Sequence, residues 1–401
     1  MTATTEALIL MVLRHSAVIA AAIAFVTLPT MLVHADWPMF RRDGARSGIA
    51  EWQELAGAEL AWATELGGSV DSSPAVVGGT VFVGNSLGEM HALSAEDGSP
   101  LWRFETVGAV VSSPAVADGM VLFGSVDGFC YAVDAETGRE AWRYRTRGAI
   151  ISSPAIIDSR VLFGSMDGRM YCLSLSDGSP VWRTEPGASI QCSPAVANGL
   201  VFFGDDEGAM QAVMLSDGSV AWKHEGRGRV IAAPVVADGT VVFGVMGPSA
   251  LRPPKLDYLV ALRADTGERL WAQNEAYSIL GAPVIAGGHV FFVTVEGYVS
   301  KTVARAASLS DGELLWERTL GGVVDSAPAL ILRSLEFEGD LSDAGLCFGC
   351  HDGRLYVLNA ETGQVVGVES LAQKVYSSPA VVDGRVYIGA NDGRLHCLTL
   401  Q

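Results

Sequence analysis

Short apolar runs separated by glycine-containing turns occupy most of this chain. Residues 115–142 show the pattern once: AVA, the turn Asp118-Gly119, MVLFG, the turn Asp127-Gly128, FCYAVD, the turn Thr137-Gly138 and a last run that carries Trp142. Pairs such as Asp-Gly and Asn-Gly favour tight hairpins because these turns need positive φ. The pattern therefore predicts units of four short antiparallel strands.

This unit recurs eight times. The proline of an S-S-P-A-like segment returns at spacings of 40, 40, 40, 40, 49, 45 and 51 residues, at Pro74, Pro114, Pro154, Pro194, Pro234, Pro283, Pro328 and Pro379. A tryptophan stands twelve residues before each of the first seven prolines, at Trp62, Trp102, Trp142, Trp182, Trp222, Trp271 and Trp316. Four strands per roughly forty residues are typical of a propeller blade. We therefore predict an all-β fold over residues 36–401, a single eight-bladed β-propeller of four-stranded antiparallel blades.

The two ends of the repeat array complement each other. After Pro379 the pattern supplies only three strands, which end at Leu400. Before the first blade, residues 59–66 (ELAWATEL) form one strand without a blade. We expect this N-terminal strand to complete the last blade as its outermost strand, so that no sheet edge is left open between the termini.

The residues before each proline indicate where a ligand would approach. The two positions before the proline and the one after it hold only Ser, Cys, Ala, Gly or Val, which suits an innermost strand crowded against the axis. The position three residues before the proline varies in polarity instead, and we predict that it rims the channel mouth. Its polar members and two basic residues two positions earlier form a candidate binding site: Asp71, Gln191, Asp325 and Tyr376, with Arg229 and Lys374. A solvated rim without a ligand is the alternative.

Three blades exceed the forty-residue period. Blades 5 and 6 carry insertions of nine and five residues between their second and third strands, on the face of the predicted mouth. Blade 7 carries eleven extra residues between its first and second strands, on the opposite face. Loops that exceed a minimal scaffold tend to carry function. Two neighbouring insertions on one face predict a partner surface, and tolerated surface variation is the alternative.

Composition and charge exclude several classes of protein. Hydrophobic residues make up 49% of the chain, enough for a large core, which excludes a disordered polymer. The formal net charge is −18, whereas nucleic-acid binding usually needs a basic face. The chain is therefore not expected to bind DNA or RNA.

The N-terminus resembles an export signal. An apolar segment follows Arg14 and ends in Val33-His34-Ala35, which predicts a signal peptide over residues 1–35 cleaved near Ala35 and a periplasmic or secreted protein. An uncleaved anchor is the alternative, and Met11 is an alternative start. Export permits disulfides. The six cysteines lie scattered in apolar contexts, however, so we interpret them as buried free thiols.

Two local motifs suggest chemistry. Cys347, Cys350 and His351 spell C-x-x-C-H, the attachment signature of c-type haem. They fall at the end of an ordinary second strand, where an extended backbone directs the two cysteines to opposite faces, so haem is the less favoured interpretation. Asp205-Asp206-Glu207 suggests a metal site, but it occupies a turn and is expected to be solvated. We identify no catalytic acid, base or nucleophile.

The repeat resembles the pyrroloquinoline quinone (PQQ) repeat family. Ala132, Asp134, Thr137, Gly138 and Trp142 match the family's A-x-D-x-x-T-G-x-x-x-W motif in full, and the resemblance covers about residues 36–401. In that family the tryptophan docks on the turn of the neighbouring blade, which implies a structural role for the seven repeat tryptophans. The family contains PQQ- and calcium-dependent dehydrogenases, many with adjacent cysteines, and noncatalytic outer-membrane assembly lipoproteins (BamB-like). This chain has no adjacent cysteines and is closer in size to the second group, although no cysteine precedes Cys130 to carry a lipid.

These observations favour an exported, noncatalytic scaffold that binds a protein partner in the cell envelope, without a cofactor. The partner would bind at the insertion-bearing face and the channel rim. The alternative function is a PQQ-dependent dehydrogenase with calcium and a reduced site.

Overall fold

The computed structural model describes residues 36–51, 58–185, 187–247, 256–275, 277–296, 301–333, 340–371 and 373–401. The predicted signal peptide therefore lies outside the described residues. Within the described part the regular elements are strands, and no helix is long and apolar enough to cross a membrane. The first seventeen strands are β1 (Ile49–Glu51), β2 (Ala58–Glu65), β3 (Ala75–Val77), β4 (Thr80–Gly84), β5 (Glu89–Ser94), β6 (Pro100–Glu105), β7 (Ala115–Ala117), β8 (Met120–Gly124), β9 (Phe129–Asp134), β10 (Glu140–Arg145), β11 (Ala155–Ile157), β12 (Arg160–Gly164), β13 (Met170–Ser174), β14 (Pro180–Arg183), β15 (Ala195–Ala197), β16 (Leu200–Gly204) and β17 (Met210–Met214). The others are β18 (Val220–His224), β19 (Val235–Ala237), β20 (Thr240–Gly244), β21 (Leu256–Arg263), β22 (Arg269–Glu275), β23 (Tyr277–Ser278), β24 (Val284–Ala286), β25 (His289–Glu296), β26 (Lys301–Ser308), β27 (Leu314–Leu320), β28 (Ala329–Leu332), β29 (Gly345–Cys350), β30 (Arg354–Asn359), β31 (Val365–Ser370), β32 (Ala380–Val382), β33 (Arg385–Gly389) and β34 (Arg394–Leu400).

These strands form the eight predicted blades. Blades 1 to 5 are β3–β6, β7–β10, β11–β14, β15–β18 and β19–β22; blade 6 is β24–β27 with the short β23; blade 7 is β28–β31 with β1; blade 8 is β32–β34 with β2. Within each blade neighbouring main strands are antiparallel, and in blades 1 to 7 the four main strands follow one another in chain order. The prediction of an eight-bladed β-propeller is confirmed.

The N-terminal strand closes the ring as predicted. Strand β2 pairs antiparallel with β34, with Leu60 opposite Leu398 and Trp62 opposite Cys397. The last blade therefore combines one strand from the start of the chain with three from its end. This pairing covers the outer edge of β34, which would otherwise be an exposed template for another strand.

The serines of the S-S-P-A segment hold the innermost strands together. In blade 2 the hydroxyl of Ser112 accepts a bond from the backbone amide of Gly124 (3.1 Å), within the same blade. The hydroxyl of Ser113 accepts a bond from the amide of Ser73 in blade 1 (2.9 Å), and Ser153 does the same for Ser113 (3.0 Å). The hydroxyl of Ser112 also donates to the carbonyl of Ser152 in blade 3 (3.1 Å). Both serines therefore link neighbouring blades around the axis, and the first one also fixes its own blade.

The segment 36–51 crosses the axis, a feature that the sequence analysis did not identify. Its backbone bonds to the innermost strands of five blades, through Val76, Val116, Val196, Val236 and Leu330. Strand β1 then pairs parallel with β28. The amides on the inner edges of these blades therefore meet the N-terminal segment instead of an open channel. We call residues 36–51 the axial segment.

Two arginines of the axial segment are buried. Arg46, which is 0% exposed, donates to the carbonyl oxygens of Pro194 (2.8 Å), Ser153 (3.0 Å) and Pro154 (3.1 Å). Arg41 donates to the carbonyl of Ala282 across the axis (2.9 Å). Burial lowers the pKa of both guanidinium groups. Backbone carbonyls of several blades therefore solvate these two cations in place of water.

Phe40 explains a change in the repeat. The second serine of S-S-P-A becomes Ala233, Ala282 and Ala327 in blades 5, 6 and 7, and these three alanines form a buried cluster with Phe40 packed against it. The methyl groups make room for the phenyl ring, and no hydroxyl is left without a partner. The serine-to-alanine changes thus shape a binding site for the chain's own N-terminal segment.

The repeat tryptophans lie between neighbouring blades. The indole nitrogen of Trp142 donates to the carbonyl oxygen of Leu175 in the next blade (2.9 Å), and the ring covers the turn at Gly178. Five further tryptophans make the same indole bond: Trp102, Trp182, Trp222, Trp271 and Trp316. Trp62 covers Gly98 in the same way, but its indole nitrogen has no hydrogen-bond partner among the residues that the structure describes. The carbonyl of Ala95 already accepts bonds from Arg385 and Tyr387 at that site.

Candidate functional site

The channel mouth is built by one repeated backbone contact. In blades 1 to 5, 7 and 8 the turn that follows the second strand lies against the loop that precedes the proline. The amide of the residue that begins this turn donates to the carbonyl five residues before the proline: Ser86 to Ser69, Val126 to Ala109, Met166 to Ala149, Asp206 to Ser189, Met246 to Arg229, His351 to Val323 and Asn391 to Lys374. We call the surface formed by these turns and loops the mouth face.

Blades 7 and 8 contribute a polar group to the mouth face. Nε2 of His351 lies 3.1 Å from Oδ2 of Asp325. The rings of His351 and Tyr376 are 4.2 Å apart. Burial, with the charges of Asp325 and Asp71, raises the pKa of Tyr376. The structure therefore places two of the predicted rim residues, Asp325 and Tyr376, on either side of His351.

Asp71 lies beside this group, at the seam where the ring closes. The hydroxyl of Ser69 is 2.5 Å from Oδ1 of Asp71 in blade 1 and 2.5 Å from Oδ1 of Asn391 in blade 8. The backbone carbonyl of Lys374 accepts the amide of Asn391 (2.9 Å). Polar residues of blades 7, 8 and 1 thus form one continuous sector of the mouth face.

A second polar group lies in blades 4 and 5. Asp206 accepts a bond from Nε2 of Gln191 (2.7 Å) and forms an ion pair with Nη2 of Arg229 (3.0 Å). The other two predicted rim residues, Gln191 and Arg229, are therefore joined by a carboxylate.

The prediction that the Asp205-Asp206-Glu207 turn is solvated is wrong for Asp205. Its side chain is buried because it accepts the backbone amides of Glu207 and Ala209 (both 3.0 Å).

Apolar residues fill the mouth face between the polar groups. Val111 and Val126 stand at the rim and turn positions of blade 2, and Ile151 and Met166 stand there in blade 3. Val126 and Met166 are each 44% exposed. The mouth face thus alternates polar and apolar sectors, as protein-binding surfaces do. His351, Asp206 and Asn391 were not predicted as rim residues, although the sequence pattern places each of them in the repeated turn.

The predicted insertion surface falls mostly on residues that the structure does not describe. The gaps at 248–255 and 297–300 cover the insertions of blades 5 and 6, and the gap at 334–339 covers that of blade 7. The insertion surface therefore stays a prediction.

The C-x-x-C-H motif ends strand β29. Cys347 lies in the core cluster that joins blades 7 and 8, whereas Cys350 lies in the cluster that joins blades 6 and 7. Both thiols are 0% exposed, and the ring of His351 already contacts the Asp325 carboxylate and the Tyr376 ring. The two sulfur atoms lie on opposite faces of one sheet, so they offer no common edge to a porphyrin.

We expect the thiols to be unreactive in the folded protein. Burial raises the pKa of Cys347 and of Cys350 from 9.0 to about 12. A thiol reagent at pH near 8 should label neither residue until the chain is unfolded, because the thiolate is the nucleophile. Because the pKa of each thiol is higher in the folded chain than in the unfolded chain, the protonated thiols make their full contribution to the free energy of unfolding below pH 9. This contribution decreases as the pH rises towards 12. Urea unfolding across this range measures the decrease, and rapid labelling of the native chain would contradict the prediction.

A family comparison agrees with this architecture. A PQQ-repeat family model described as outer membrane protein assembly factor BamB matches residues 45–157, 147–249 and 254–401. The chain belongs to this family. A curated relative, the outer membrane protein assembly factor BamB of Legionella pneumophila, is 30% identical over 159 residues, which are 37% of this chain and 36% of the relative. The aligned region thus spans about a third of that relative's length.

Solved structures show the same fold at low sequence identity. BamB from Moraxella catarrhalis is 16% identical with a TM-score of 0.69, over 85% of this chain and 99% of that one. A quinohemoprotein alcohol dehydrogenase from Comamonas testosteroni is 15% identical with a TM-score of 0.74, over 91% of this chain and 80% of that one. BamB proteins and dehydrogenases therefore share this propeller, and the fold does not distinguish their functions.

The residues of this BamB-family chain do not fit PQQ with calcium. Calcium takes six to eight oxygen ligands in proteins. Within the described ranges no group of three or more His, Cys, Asp or Glu side chains is placed to hold a metal ion. Arg41 and Arg46 also occupy the axis, and their guanidinium groups already donate hydrogen bonds to backbone carbonyl oxygens.

Proposed function

We propose that the chain is a noncatalytic scaffold of the BamB type that binds a protein partner in the cell envelope during outer membrane protein assembly. Membership of the family supports this class of function. The curated relative carries the name of an outer membrane protein assembly factor. The proposed envelope location also agrees with the predicted signal peptide.

The mouth face is the observation that carries the proposal. It combines exposed apolar side chains with two polar groups held by defined contacts. The axial segment fills the ring behind it. A partner therefore meets a broad, rigid surface, and a rigid surface loses little conformational entropy on binding.

Substitutions on the mouth face should reduce partner capture. We expect Met166→Asp and Tyr376→Ala each to lower the amount of partner recovered from envelope extracts about tenfold, a loss typical of one interface hot spot. The tagged mature chain is the bait, and mass spectrometry quantifies the captured proteins. Val220→Asp is the matched control, because Val220 is 63% exposed and lies next to a turn of the opposite face.

Capture that is unchanged in both mouth variants would overturn the assignment of this face. The alternative function is tested separately by incubating the mature chain with PQQ and calcium and recording dye reduction with alcohols and aldoses. Stoichiometric uptake of PQQ with turnover would contradict the noncatalytic scaffold.

A further inference from the structure

One repeat position carries a positive charge in blade 2 alone. The residue three positions after the repeat tryptophan is glutamate in four repeats, at Glu65, Glu105, Glu185 and Glu225. In blade 2 the same position is Arg145. A chain with a net charge of −18 thus places a cation where four of its repeats place an anion.

Blade 1 shows what the glutamate does. Arg103 pairs with Glu105 (2.7 Å) and with Glu89 on the adjacent strand (3.0 Å). Glu105 and Glu89 lie opposite each other in the strand register. One guanidinium group is therefore held between two carboxylates.

Blade 2 replaces both carboxylates. Phe129 stands at the position of Glu89, and Arg145 lies opposite Phe129 in the register. The guanidinium groups of Arg143 and Arg145 both lie over the Phe129 ring, at 5.2 and 5.5 Å from its centroid. Arg143 retains one ion pair, with Glu140 at 3.6 Å. Arg145 has no ion pair within the described part of the chain, and its charge faces solvent.

A cleft and two exposed valines adjoin these arginines. The cleft has a volume of about 580 Å³, and Val126, Arg145 and Arg147 are among its lining residues. Val107 is 96% exposed, and its amide donates to the carboxylate of Asp127, which also lines the cleft (3.2 Å). Cations oriented on an aromatic ring, next to exposed aliphatic side chains, are typical of the centre of a protein interface.

We propose that this part of the mouth face binds an acidic segment of a partner protein, with its carboxylates on Arg145 and Arg147 and an aliphatic side chain between Val107 and Val126. The inference rests on the proposed function, because it describes the chemistry of that scaffold's partner. Charge complementarity selects an acidic segment. The exposed valines favour a peptide over a phosphate or a lipid headgroup, which would leave them uncovered.

The repeat supplies a variant that is expected to fold. Arg145→Glu introduces the residue that four other repeats have at this position and gives Arg143 the carboxylate that Arg103 has in blade 1. The matched control is Arg139→Glu, which makes the same change of charge on an exposed turn of the opposite face. The probe is a short labelled peptide rich in glutamate and valine, titrated by fluorescence anisotropy against the folded mature chain at low and at physiological salt.

We expect Arg145→Glu to weaken peptide binding about tenfold and Arg139→Glu to leave it within about twofold of the wild type. A peptide with glutamine in place of glutamate should bind weakly to every variant. Equal effects of the two substitutions would overturn the inference, as would binding of anionic phospholipid vesicles or polyphosphate as tight as that of the peptide.

Failure of this inference is separable from failure of the proposed function. If Arg145→Glu leaves peptide binding unchanged while Met166→Asp still reduces partner capture, the scaffold function is supported and the acidic-segment site is wrong. If no partner is captured by any variant, the proposed function fails whatever the peptide titration shows.

Discussion

Replacing Arg46 with leucine should lower the free energy of unfolding by about 3–5 kcal/mol, the usual effect of breaking a buried, hydrogen-bonded charged group. The side chain is fully buried and bonds to the carbonyls of Phe40, Ser153, Pro154 and Pro194. Leucine fills part of the volume but leaves these oxygens without donors, and each unsatisfied buried group costs about 1–3 kcal/mol. Urea unfolding followed by tryptophan fluorescence measures the loss.

The control for Arg46 is Arg139→Leu, since Arg139 is exposed on a turn and its side chain has no such contacts. We expect its effect to stay within about 0.5 kcal/mol. If Arg46→Leu were as mild as this control, the carbonyl oxygens around the axis would not depend on the guanidinium group.

Truncating a repeat tryptophan should be similarly costly. We expect Trp142→Ala to lower the free energy of unfolding by about 3–5 kcal/mol, because the indole is buried between two blades and leaves a cavity when removed. The same urea assay applies. A loss below about 1 kcal/mol would contradict a docking role for this ring.

The conservative variants separate packing from hydrogen bonding. Trp142→Phe keeps a ring over Gly178 but loses the bond to the Leu175 carbonyl, at a cost of about 1 kcal/mol beyond the change in packing. Trp62→Phe should lack this additional cost, because within the described part of the chain the indole nitrogen of Trp62 has no partner to lose. Equal costs at both positions would show that the indole bond contributes little.

The ring could be predicted because its determinants are local and repeated. Each Asp-Gly or Asn-Gly turn specifies its own hairpin, and eight copies of the same hairpin set the number of blades. The closing strand was predictable from counting, since the pattern after Pro379 lacks one strand and residues 59–66 supply one.

The axial segment could not be predicted in this way. It occurs once, so no period identifies it, and its conformation depends on carbonyl groups supplied by distant blades. Arg41 and Arg46 both have positive φ, at 59° and 63°, which is unfavourable for arginine, and long-range bonds to other blades help to stabilise this conformation.

The candidate site was predictable in part. Positions that vary within a constant repeat identified Asp71, Gln191, Asp325 and Tyr376. Their partners His351 and Asp206 lie in turns, where a polar residue normally indicates solvent. The repeated bond between each turn and its loop, which brings them to the mouth face, is visible only in three dimensions.

The pairing of β2 with β34 has a consequence for how the protein is made. Strand β2 leaves the ribosome long before Leu400, so it stays without its partner strand β34 while the intervening blades form. Non-local pairings of this kind slow folding and prolong the exposure of strand edges. A nascent or truncated chain that lacks its final residues thus forms an unclosed ring with two exposed strand edges. Chaperones would have to keep such chains apart until synthesis is complete.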